Sequence, residues 1–69
     1  MNIMGAIKVR DIICALEQNG WVMVRCRGDH RQFRREGNRY VITVAGHLNK
    51  TIAIGTLKNI ERLSGLRLH

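Results

Sequence analysis

The sequence predicts an α+β fold: two helices packed on one face of a three-stranded antiparallel sheet, in the order α-β-β-β-α. Two apolar stripes at helical spacing lie near the two ends of the chain. Between them are three short runs rich in strand-forming residues, punctuated by glycine turns. Helical spacing marks amphipathic helices, and strand-rich runs joined by short glycine turns mark hairpins.

The first stripe is Val9, Ile12, Ile13 and Leu16, at i, i+3, i+4 and i+7. It predicts a helix from about Val9 to Asn19, ended by Asn19-Gly20. Asp11 sits in the first turn, where the helix dipole favours an anion. Cys14 falls off the stripe and is expected near the surface. "WVMVRC" (21–26) reads as the first strand, Arg27-Gly28-Asp29 as a turn, and "HRQFRR" (30–35) as the returning strand. Gly37-Asn38 is a second turn, and "RYVITVAG" (39–46) a third strand. "HLNKTIAI" (47–54) is a connection. Ile54, Leu57, Ile60 and Leu63 then form the second helical stripe, stopped at Gly65.

Alternation assigns faces. Val22, Val24 and Cys26 are expected on the side under the helices, with Phe33, Tyr40, Ile42 and Val44. The opposite side then carries Trp21, Met23 and Arg25, then His30, Gln32 and Arg34, then Val41 and Thr43. One covered and one open face is ordinary for an antiparallel sheet. Trp21, Met23 and Val41 on the open side suggest a patch that another molecule covers. Trp21 by itself reads equally well as core.

Sixty-nine residues make one domain, 1–69. A chain this short buries only about 60% of its unfolded surface, so its stability is marginal and a partner chain is a natural source of more. Cys14 and Cys26 have no zinc-like spacing and read as reduced thiols of a cytoplasmic protein. The opening "MNIMGAIKVRD" is unlike a signal peptide, and no apolar run approaches the ~20 residues that span a bilayer. Neither a metal nor another cofactor is expected.

The net charge is +7, which favours polyanionic partners. Arg25, Arg27, Arg31, Arg34, Arg35 and Arg39 place six of the twelve cations in one fifteen-residue stretch. Only Asp29 and Glu36 lie among them. Arginine matches phosphate bidentately where lysine cannot, so the stretch reads either as a solvated charged face or as a phosphate-binding one. Within it stands His30, at the start of a strand and on the open side. Histidine is the side chain that ordinarily exchanges protons near neutral pH. With arginines to hold a phosphate, it completes the minimum set for RNA cleavage without a metal. His47, after "VAG", reads as a loop histidine bonded to backbone, and His69 carries no information. Asp29 and Glu36 sit too far apart on one strand to act as an acid–base pair.

The runs "KVRDIICALEQNGWVMVRCRGDHRQFRR" and "VITVAGHLNKTIAIGTLKNIERLSGL" resemble the HicA family of small bacterial toxins, over roughly residues 8–66. The resemblance implies a fold like that of double-stranded-RNA-binding domains. It also implies a metal-independent endoribonuclease, an mRNA interferase of a type II toxin–antitoxin system, neutralised by a HicB-type antitoxin. The residue in the family's catalytic histidine position is His30. Where the family commonly has serine, this chain has Asp29. A carboxylate there favours a charged imidazole and repels an incoming phosphate, while the arginines do the opposite.

The reading that results has His30 as the catalytic residue and Arg25, Arg27, Arg31, Arg34 and Arg35 as RNA contacts. Trp21, Met23, His30 and Gln32 form the surface that the antitoxin covers. Two other readings stay open: an RNA-binding module in which Asp29 has cost the reaction, and an interaction protein that docks an acidic partner.

Overall fold

The computed structural model describes residues 7–68. The opening segment and His69 lie outside the described residues. The elements are α1 (Val9–Gln18), β1 (Val22–Arg27), β2 (His30–Arg34), β3 (Ile42–Ala45) and α2 (Ile54–Ser64). The expected α+β order is therefore observed. The strands form one antiparallel sheet in the order β1-β2-β3, with β2 central.

α1 starts where Asp11 accepts the backbone N–H of Lys8 at 2.9 Å. That contact uses one of the orphan donors of the first turn. The helix ends at Asn19, followed by Gly20 at a φ of +89°. α2 ends at Gly65, whose φ of +76° is the left-handed cap and whose N–H reaches the Glu61 carbonyl at 2.8 Å. Val9, Ile12 and Leu16 of α1 meet Leu57 and Ile60 of α2, Trp21, and the inward side chains Phe33, Ile42 and Val44 in one buried cluster. Both helices thus cover the same face of the sheet. Among the described residues no helix is long and apolar enough to cross a membrane.

β1 departs from simple alternation. Val22 pairs with Arg34 and Met23 with Phe33, but Arg25 pairs with Gln32, so Val24 is an extra residue. This is a β-bulge, which shifts the phase of every side chain beyond it. Before the bulge, Trp21 and Met23 turn towards the helices. After it, Arg25 and Arg27 turn to the open face. The expected assignment of β1 is corrected accordingly. Trp21 is core, at 1% exposure, while Val22 and Val24 are 62% and 54% exposed. Met23 is paired with Phe33 on the covered side of this edge strand but is 47% exposed. Cys26 pairs with Arg31 on that same side and is exposed, as is Cys14.

The third strand is shorter than expected and begins at Ile42. Tyr40 stands outside it, exposed, with the Arg39 guanidinium 5.4 Å from its ring centre, so it is not part of the covered face. Ile54 opens α2 but is solvent-exposed.

Candidate functional site

The β1–β2 hairpin turns in two residues, Gly28 and Asp29. Gly28 has a φ of +60° and Asp29 does not have a positive φ. That is the glycine-first arrangement of a type II′ turn, whose twist matches the flanking strands. The turn brings Arg27 opposite His30.

Strand pairing then builds the open face as two rows. One row is Arg27, His30 and Ala45, and the next is Arg25, Gln32 and Thr43. Directly opposed side chains in such rows stand about 4.5–5.5 Å apart at Cβ. Arg25, Arg27, His30 and Gln32 enclose a shallow hollow of about 210 Å³. His30 is well exposed there, and its Nδ1 lies 3.1 Å from Asp29 Oδ1. Among the described residues no carboxylate lies within ion-pair distance of Arg25 or Arg27.

The hairpin end is fastened to β3. Gly46 N–H donates to the Asp29 carbonyl at 3.1 Å. Arg31 Nη1 donates to the Gly46 carbonyl at 2.9 Å and to the Asp29 carbonyl at 3.2 Å. Gly46 is buried and has a φ of +113°. These bonds hold the backbone on both sides of His30.

The expected RNA contacts therefore separate. Arg25 and Arg27 share the hollow with His30. Arg34 is on the same face but four residues along β2, roughly 13 Å away at ~3.3 Å per residue. Arg35 follows the strand at that far end, its side chain beside Gly20. Arg31 lies on the helix side, half-buried, with its guanidinium bonded to backbone. Of the surface expected to meet a partner, His30 and Gln32 are on the open face. Trp21 is buried, and its indole N–H has no hydrogen-bond partner among the described residues. Met23 belongs to the other side.

A second hollow, of about 240 Å³, lies beyond β3 and is lined by Thr43, Lys50, Thr51, Ile52 and Thr56 among others. Its residues come from β3, the connection and α2, so no local pattern in the sequence could have united them. His47 lies on the exposed loop that follows β3. Among the described residues no group of three or more His, Cys, Asp or Glu is arranged to hold a metal ion.

A family model described as the HicA toxin of bacterial toxin–antitoxin matches residues 9–66. No curated protein matches the chain.

Proposed function

The chain belongs to the HicA toxin family of bacterial toxin–antitoxin systems, and on that premise we propose that it is a metal-independent endoribonuclease acting on mRNA in the cytoplasm. One observation carries this reading: His30 opens into a hollow walled by two guanidiniums that have no ion-pair partner among the described residues, while Asp29 sits on its Nδ1. A carboxylate at Nδ1 keeps the ring proton there and leaves Nε2 as the basic nitrogen. Asp29 in this reading orients the imidazole.

The chemistry follows from the groups present. Nε2 of His30 takes the proton of a ribose 2′-hydroxyl. The 2′-oxygen attacks the adjacent phosphorus, and the bond from phosphorus to the 5′-oxygen of the next nucleotide breaks. That oxygen takes a proton from solvent as it leaves, and His30 then gives the proton it holds back to solvent. The products are a 2′,3′-cyclic phosphate and a 5′-hydroxyl end. Arg25 and Arg27 hold the phosphate and offset the negative charge that grows on its oxygens. Positioned proton transfer contributes about 10²–10⁴-fold to such a step.

A toxin of this kind requires a neutralising partner. We assign that role to a HicB-type antitoxin seated on the open face over His30 and Gln32. The charge of +7 suits an acidic partner, which electrostatic steering would bring to this face.

The reading is tested with an RNA oligonucleotide and a copy carrying a single 2′-deoxyribose at the cleaved position. The RNA is expected to yield 2′,3′-cyclic phosphate ends, and the deoxy copy to stay intact at that position. Binding without any cleavage favours an RNA-binding module instead. Neither binding nor cleavage at ~0.15 M salt favours a protein-docking role.

A further inference from the structure

We propose that the hollow beyond β3, bounded by Thr43, Lys50, Thr51 and Thr56, is a second RNA subsite. It would hold the nucleoside beside the phosphate that faces His30 and set which nucleotide is accepted there. This rests on the nuclease reading of His30 and extends it to substrate choice.

The register makes the two hollows neighbours. Thr43 is paired with Gln32 and Ala45 with His30. Gln32 and His30 line the first hollow, while Thr43 and Ala45 line the second. A phosphate facing His30 on β2 is therefore one strand spacing, about 4.8 Å, from β3 and the second hollow, while Arg25 and Arg27 on β1 stand two spacings away, about 9.6 Å.

The chemistry of the two differs in a useful way. The first presents guanidiniums, which suit phosphate. The second presents three hydroxyls and one ammonium, with Ile52, Ala45 and Ala53 as apolar surface. A hydroxyl both donates and accepts, so threonines can pair with the uncharged edge of a base or with a 2′-hydroxyl. Phosphate contacts fix register, whereas contacts to bases carry sequence information.

The second hollow is also built in advance. Its outer wall is tied to the start of α1. Val9 N–H donates to the Lys50 carbonyl at 2.9 Å, Arg10 N–H to Leu48 at 3.1 Å, and Ile52 N–H to Ile7 at 2.8 Å. Thr51 forms an antiparallel bridge with Lys8. The Lys50 stem runs against Gly46, where a Cβ would come within 2.8 Å of it. A wall pinned in this way loses little freedom when a ligand binds.

The experiment compares the wild type with two double variants, Thr51→Val/Thr56→Val and Thr51→Ser/Thr56→Ser. Both residues are exposed, valine keeps the shape of threonine, and thermal unfolding verifies that the variants fold. Each protein cleaves one RNA of mixed sequence, and the relative rates at all positions are read. The wild type is expected to prefer one nucleotide beside the cut. The valine pair should flatten that preference by about tenfold, the worth of one or two hydrogen bonds, and the serine pair should retain it. Absence of a preference in the wild type, or an unchanged one in the valine pair, overturns the subsite while leaving the nuclease standing. If the wild type does not cleave, the nuclease reading fails separately. The subsite is then decided by titrating the His30→Ala protein with a mixed-sequence RNA hexamer. Shifted amide resonances at Thr43, Thr51 and Thr56 support it, and unmoved ones overturn it.

Discussion

Along β2 the side chains of Arg31 and Phe33 turn towards the helices, while His30, Gln32 and Arg34 turn to the open face. Neighbours in sequence therefore answer to different requirements. Phe33 is fully buried against Ile42, Val44 and both helices, so it is judged by volume and fit. His30 is exposed and rigidly based, so it is judged by what it can do to a ligand. The difference teaches that stability and chemistry in this molecule occupy alternate positions of one strand and can be altered separately.

The sharpest break of that comparison comes from Phe33→Ala, which should cost about 3–5 kcal/mol in urea unfolding. Gln32→Ala, one position away, should stay within about 0.5 kcal/mol. Equal losses would mean that the two faces are not distinct. Deletion of Val24 comes next. It removes the bulge, so either Trp21 leaves the core or Arg25 and Arg27 turn inwards. The expected loss is about 3 kcal/mol or more, near that of truncating a buried tryptophan, whereas Val24→Ala should be nearly silent.

Arg31→Met should cost about 1–3 kcal/mol, because the carbonyls of Asp29 and Gly46 lose a charged donor. Arg34→Met should cost little in the same unfolding assay. The smallest effect concerns binding. Arg25→Gln and Arg27→Gln should each lower the slope of log affinity for single-stranded RNA against log salt by about 0.7. Arg31→Gln should leave that slope unchanged, since its guanidinium faces the other way.

Most of the architecture was legible because its signals are periodic. Val9, Ile12 and Leu16 at helical spacing became the buried face of α1, and Gly65 stopped α2 where expected. On β2 and β3 clear alternation gave the correct faces to His30, Gln32, Phe33, Ile42 and Val44. β1 was misread for a physical reason. Val22, Met23 and Val24 are apolar in both phases, so the pattern selects neither, and a bulge leaves no mark in composition. Alternation therefore puts Trp21 on the open side, although by itself it reads equally well as the core residue it is, while Arg25 beyond the bulge comes out correctly. Tyr40 was misplaced because the chain enters the sheet only at Ile42. The wall of Lys50, Thr51 and Thr56 was invisible because it forms only when the connection docks on α1.

The most direct test of the central claim is RNA cleavage by the wild type and by His30→Ala, with EDTA present and equal unfolding midpoints established first. The account predicts cleavage by the wild type and a rate about 10²–10⁴-fold lower in the variant. Equal rates from the two proteins would contradict it.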